Sequence, residues 1–148
     1  MTDPATTSTP TPREIRRLAF QALFQLDIHE GSDVTGLQHT LGQESGMTAA
    51  RIDSAFKLAI AAFVDRKAAD AMMTRLAPNW PAYRQATVDR AILRLAHYEL
   101  THNLGPGAVI INDAVGLAQE FSTDKSPAFV NALLDKAWKN IQPQTPQT

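Results

Sequence analysis

From residue 11 to residue 141 the apolar side chains recur every three to four positions and nowhere alternate strictly. A chain of this kind can bury them together only as amphipathic helices, so the fold class is all-α. Its length of 148 residues and its 44% apolar content suit one ordinary domain with a continuous core. Residues 1–10 (Thr, Ser, Pro, Ala and one acid) and 142–148 (Gln, Pro, Thr) have almost nothing to bury and read as disordered tails around a folded unit of 11–141.

Gly and Pro divide the helical pattern. A first helix begins at Thr11-Pro12-Arg13-Glu14, with Thr11 as cap, Pro12 at the first position and Glu14 closing a capping box, and it ends near His29 before Gly31. A short helix over 34–41 precedes Gly42 and Gly46. A long one follows over 48–76, with a stripe of Ile52, Phe56, Ala59, Ile60, Phe63 and Val64. After Pro78 and Pro81 come helices over 87–102, 109–121 and 127–141, the last capped by Ser126 with Pro127 at its first position.

The first helix sorts into two faces at about 100° per residue. Ile15, Leu18, Ala19, Ala22, Leu23 and Leu26 form the core stripe, while Arg13, Arg16, Arg17, Phe20 and Phe24 fall opposite. Guanidinium groups interleaved with rings suit single-stranded RNA, which needs cations for phosphates and flat surfaces for unstacked bases. The same pattern is also that of a solvated arginine face whose two phenylalanines pack on the rest of the molecule. A formal net charge of −1 means that affinity for nucleic acid must come from such a local face.

Other chemistry is sparsely represented. With no cysteine in the chain, disulfides, thiolate zinc sites and cysteine nucleophiles are excluded. There is no glycine-rich phosphate loop, no Gly-x-Ser-x-Gly elbow and no zinc-binding His-Glu-x-x-His. His97 and His102 are five apart, off the three- or four-residue spacing of helical metal ligands, and read as surface or interface residues. Asp89, Glu99, Asp113, Glu120 and Asp135 stand among Arg90, Arg94 and Lys136 as on salt-bridged helix surfaces, and no acid–base pair stands out. The expectation is a non-enzyme without cofactor or metal. No apolar run approaches the roughly 20 residues of a membrane span, and the start lacks the features of a signal peptide, so a cytoplasmic protein is expected.

Three ordered blocks resemble the NusB family: Val88-Asp89-Arg90-Ala91-Ile92-Leu93-Arg94-Leu95-Ala96-His97-Tyr98-Glu99-Leu100, then Ala108 through Ala118 around Ile111-Asn112-Asp113-Ala114-Val115, then Phe129-Val130-Asn131-Ala132-Leu133-Leu134-Asp135-Lys136. Gln21-Ala22-Leu23-Phe24 resembles the family's first helix, and Trp80 to Arg84 its connector before the fifth. The resemblance implies a bundle of about seven helices in two packed sub-bundles. It further implies an adaptor that, with the ribosomal protein NusE, grips the boxA element of nascent ribosomal RNA within the RNA polymerase antitermination complex. Carried onto this chain, the RNA would meet Arg13, Arg16, Arg17 and Phe24 on the first helix and Lys125, Ser126 and Phe129 at the start of the last. NusE would meet Trp80, Arg84, Asp89 and Arg90. The family's arginine-rich opening is reduced here to Pro12-Arg13-Glu14-Ile15-Arg16-Arg17, Arg17 stands where an acid is usual, and Ala128 replaces a basic residue with Lys125 nearby. Asn112 and Asn131 read as satisfying backbone groups, and Trp80 and Tyr83 as a connector packed on the bundle. Two other functions compete with this one. One is a protein-only module, such as a homodimer with its RNA face covered. The other is the NusB-like part of a ribosomal-RNA methyltransferase, which the absence of a cysteine nucleophile and of any further domain argues against.

Overall fold

The computed structural model describes residues 12–141, which form seven α-helices and one 3-10 turn. The tails expected at 1–10 and 142–148, and Thr11 with its capping role, lie outside the described residues. The helices are α1 (Arg13–Ile28), α2 (Val34–Ser45), α3 (Ala49–Val64), α4 (Arg66–Leu76), α5 (Thr87–Thr101), α6 (Gly107–Phe121) and α7 (Ser126–Ile141), with the 3-10 turn Ala82–Arg84 before α5. Helices α1 to α3 pack on one another, as do α4 to α7, and α5 joins the two groups by lying against both α1 and α3. The core is continuous across that junction.

The core stripe expected for α1 is buried in full, and α1 makes its most extensive contact with α3. Because α1 also meets α5 and α6, Arg16 and Phe20 are buried as well, and one helix is covered on nearly two faces. Helix α1 starts at Pro12 with no side-chain cap.

Helix α2 runs past Gly42 to Ser45 and ends at Gly46, whose φ of 68° lies in the left-handed region. Gly42 is therefore a packing residue, since a Cβ there would come within 3.0 Å of Ile52 on α3. It is the only buried residue of α2.

The single helix expected over 48–76 is broken at Asp65, without any Gly or Pro to announce it. Arg66 stacks its guanidinium 4.0 Å from the Phe63 ring and donates to the Phe63 carbonyl at 2.8 Å, so the carbonyl freed by the break is satisfied locally. The buried stripe of α3 is Ala55, Phe56, Leu58, Ala59 and Ala62, whereas Ile60 and Val64, expected inside, are exposed.

Gly107 opens α6 instead of lying in the turn before it. A Cβ there would meet the Trp138 ring at 2.1 Å, so only glycine lets the α7 indole lie against the start of α6. No helix among the described residues is long and apolar enough to cross a membrane.

Candidate nucleic-acid interface

The arginines expected on one face of α1 separate. Arg13 is exposed, with its guanidinium lying over Gly116 of α6, 2.8 Å from where a Cβ would stand. It makes no ion pair among the described residues. Arg17 is also exposed and extends along α6, where its Nε donates to both carboxylate oxygens of Glu120 at 3.1 and 3.2 Å, and its Nη2 contacts Oε2 of the same group. The guanidinium lies 5.1 Å from the Phe121 ring centre. The hydrogen bond to Glu120 raises the Arg17 pKa further, and the same bond holds Glu120 below the ordinary carboxylate range.

Arg16, expected at the surface, lies in the core. It is 2% exposed; its Nε donates to Glu99 at 2.7 Å and its Nη1 to Asp113 at 2.7 Å. The helical wheel assigned it outward because the wheel separates polar from apolar residues, whereas here two carboxylates on α5 and α6 turn the inner face of α1 into an ionic site. Burial keeps Glu99 above its usual pKa even though the Arg16 charge pulls the other way. A guanidinium committed to two buried acids is not free to contact RNA.

Phe20 and Phe24 also part company. Phe20 is buried, 5.1 Å from Phe121 and 6.4 Å from Phe24 between ring centres. Phe24 is half-buried and keeps an accessible edge. Phe121 thus joins the two helices, meeting both the Phe20 ring and the Arg17 guanidinium.

The next residues carry this surface to α7. Asp89 Oδ1 accepts from the Ser122 hydroxyl at 2.7 Å and Oδ2 from the Ser126 hydroxyl at 2.9 Å. The two hydroxyls are 2.8 Å apart, and Thr123 Oγ1 is 3.0 Å from Ser126. Ser126 is buried and is the first residue of α7, so its hydroxyl ties the turn to α5 and is turned away from any ligand. Lys125 is exposed beside it, and Phe129 is half-buried against the core.

The residues expected to meet NusE divide in the same way. Trp80 is 44% exposed with the Arg84 guanidinium 4.8 Å from its ring, and Tyr83 is 81% exposed, so these two side chains project, whereas the connector backbone itself packs on the bundle through the buried Ala82 and Gln85. Asp89 is buried under the α6–α7 turn. Arg90 donates to Asp27 at 2.8 Å, and Arg94 to both oxygens of Asp70 at 2.9 and 2.7 Å while also meeting Asp27 at 3.1 Å. These bonds lock α5 to α1 and α4. Burial alone would raise the Asp27 pKa, but the hydrogen bond from Arg90 and the charges of Arg94 and Arg90 hold it below its ordinary value.

His97 is buried, 3.5 Å from Asp65, with its Nδ1 lacking a hydrogen-bond partner; burial lowers its pKa. His102 is exposed and stacks on Tyr98. No cluster that could hold a metal occurs among the described residues. Asn112 and Asn131 are exposed, and neither side chain hydrogen-bonds backbone among the described residues, contrary to the role expected for them. Sequence reasoning put Glu120 on a salt-bridged helix surface, as its pairing with Arg17 bears out, but missed it and Phe121 as members of this seam. Their only signal was a position in the last turn of α6, next to a Ser-rich turn.

The described residues thus form an all-helical bundle with a mixed cationic and aromatic seam between its first helix and its last two. The sequence model of the NusB family matches residues 13–139. The chain is 34% identical over 139 residues to the transcription antitermination protein NusB of Oleidesulfovibrio alaskensis, covering 90% of each chain. The structure of T. maritima NusB superposes with a TM-score of 0.75 at 30% identity, covering 91% of this chain and 96% of that one. A structure of the antitermination factors NusB and NusE in complex with dsRNA has a TM-score of 0.75 at 23% identity, covering 86% and 96%, a likeness in fold. The chain belongs to the NusB family, whose members are transcription antitermination factors and not enzymes.

Proposed function

We propose that this protein is a cytoplasmic RNA-binding antitermination adaptor, and that its 11–141 unit grips boxA-type RNA of nascent ribosomal transcripts together with NusE in the polymerase antitermination complex. The observation that carries this reading is the seam where Arg13 and Arg17 of α1 lie across α6 at Gly116, Glu120 and Phe121. It offers the Arg13 guanidinium, which has no ion pair among the described residues, a second one stacked on a ring, and the half-buried Phe24, with Lys125 and Phe129 beyond the α6–α7 turn. Phosphates need the cations and unstacked bases need the rings. The RNA face in this reading is Arg13, Arg17, Phe24, Phe121, Lys125 and Phe129. Arg16 and Ser126 support it from within. The exposed pair Trp80 and Arg84 is the surface offered to NusE, since Asp89 and Arg90 are engaged inside the molecule.

One observation favours a second reading, a protein-only module or homodimer with little RNA binding: Arg17 is already neutralised by Glu120, and aromatics with Arg are common at protein interfaces. Titration of a boxA-like RNA with and without NusE, combined with sedimentation, separates the two. For the adaptor, RNA binds, NusE strengthens it, and Arg17→Ala weakens it about tenfold or less, the span of one exposed phosphate contact. A stable dimer indifferent to RNA, with Arg17→Ala behaving as the parent, supports the module.

A further inference from the structure

We propose that the groove between α1 and α2 docks a basic amphipathic helix of a partner protein. Two adjoining cavities of about 370 and 270 Å3 lie in it and share Leu41 and Glu44. The groove exists because Gln21 and Gln25 of α1 line it where apolar side chains would have closed the two helices together. Helix α2 is held instead through Gly42 against Ile52 of α3, and Leu37 and Leu41 are left half-buried along the groove. Successive hollows beside a helix are the form that receives the apolar anchors of a second helix, at i and i+3 or i+4.

Charge decides the occupant. Residues 18–50 contain no Lys or Arg, and they carry four acids, Asp27, Glu30, Asp33 and Glu44. Asp27 is held by Arg90 and Arg94, but Glu30, Asp33 and Glu44 are exposed and make no ion pair among the described residues. Asp33 precedes α2 and Glu44 stands in its last turn, and both line the larger cavity, so a carboxylate lies on either side of Leu37 and Leu41. Among the described residues the one cation lining either cavity is Arg17, which Glu120 already neutralises.

Such a rim repels phosphates and attracts a partner that carries Lys or Arg beside an apolar stripe. The groove therefore stands apart from the RNA reading and does not depend on it. Nor does it use Trp80 or Arg84, since α2 packs on α1 and α3 whereas the connector packs on α4.

The test titrates the full chain, followed by amide NMR, with a helical peptide of about four turns that has leucines at i, i+3, i+4 and i+7 and lysines elsewhere. A second peptide has glutamates in place of the lysines. The lysine peptide should bind saturably and more weakly as salt rises, with shifts confined to α2 and the side of α1 that faces it, and the glutamate peptide should not bind. The double variant Asp33→Asn/Glu44→Gln should bind the lysine peptide about fivefold more weakly, the combined size of two exposed ion pairs. Leu37→Gln should weaken it about tenfold, for the lost burial of part of one leucine. The double variant changes only exposed side chains, and its thermal unfolding should match the parent's. The proposal is overturned if the glutamate peptide binds as well as the lysine peptide, if neither binds, if the shifts fall outside α1 and α2, or if the double variant keeps the parent's affinity. It is overturned equally if single-stranded RNA moves the α2 amides, which would make the groove part of the RNA face. A parent dimer that these substitutions convert to monomer would give the groove to a second copy of the chain and overturn it too.

Discussion

Arg16 shows how a single residue's role can be hidden in the local pattern. Its partners Glu99 and Asp113 are 83 and 97 residues further along the chain, so nothing within reach of the first helix could mark it as buried. Arg13 and Arg17, three before and one after it, remain at the surface as the wheel expects. Replacing Arg16 with Ala leaves two carboxylates facing each other in the core without a cation. Breaking a buried pair in this way costs about 3–5 kcal/mol, so urea unfolding at neutral pH should show a loss of that size. The pH dependence has a definite sign. Glu99 is already held above its ordinary pKa, and removing the Arg16 charge pushes it higher, so the folded state of the variant binds more protons than the unfolded state. The loss should therefore shrink as pH is lowered from neutral toward the carboxylate range. A variant that loses less than about 1 kcal/mol, with no pH dependence, would show that water replaces the guanidinium.

At the level of elements, the sequence made the helices legible wherever apolar periodicity was bounded by a residue that cannot continue a helix. The end of α1 before Gly31, the α5–α6 turn and the α7 start were all found within a few residues. The break at Asp65 was not, because it rests on Arg66 capping the Phe63 carbonyl, an interaction with no composition signature. Gly42 misled in the opposite direction, since a glycine chosen for close helix packing looks like one chosen to end a helix. The turn between α6 and α7 depends on Asp89 of α5, which read as a rim charge on an exposed helix. Asp89→Lys is accordingly disruptive, because it buries an unpaired ammonium among hydroxyls. Asp89→Ala should free residues 122–126, with a loss of about 1–3 kcal/mol for the stranded polar groups and faster amide exchange confined to that turn and the first turn of α7. Asp89→Asn keeps an acceptor for one serine and a donor for the other, and should hold the turn. If Asp89→Ala exchanges like the parent, the hydroxyls satisfy one another and the carboxylate is dispensable.

For the whole molecule, the two helical groups leave few cations where the RNA is proposed to lie, although the chain has 14 Lys and Arg against 15 Asp and Glu. Arg90 and Arg94 join the groups through Asp27 and Asp70, and Arg16 through Glu99 and Asp113, so three of the guanidinium groups nearest the helix junction serve the fold. Family resemblance supplied the location proposed for the face. The number of free charges on it was not, because each pairing joins residues distant in sequence. Arg13, Arg17 and Lys125 remain, and Arg17 must first exchange Glu120 for a phosphate. Each neutralised phosphate of a single strand contributes about −0.7 to the slope of log affinity against log salt, so three contacts give about −2. Raising salt from about 50 to about 200 mM should then weaken binding by the protein alone only about 20-fold, against the factors of about 10³–10⁵ seen when six to ten phosphates are held. Adding the proposed partner should steepen the slope by the phosphates that the partner contacts. Arg17→Ala should make the slope shallower by about 0.7, whereas Phe24→Ala should lower affinity with the slope kept, because stacking on a ring releases no counterion. A slope near −5 for the protein alone would mean that cations beyond these three reach the RNA, and the seam between α1 and α6 would then be only part of the interface.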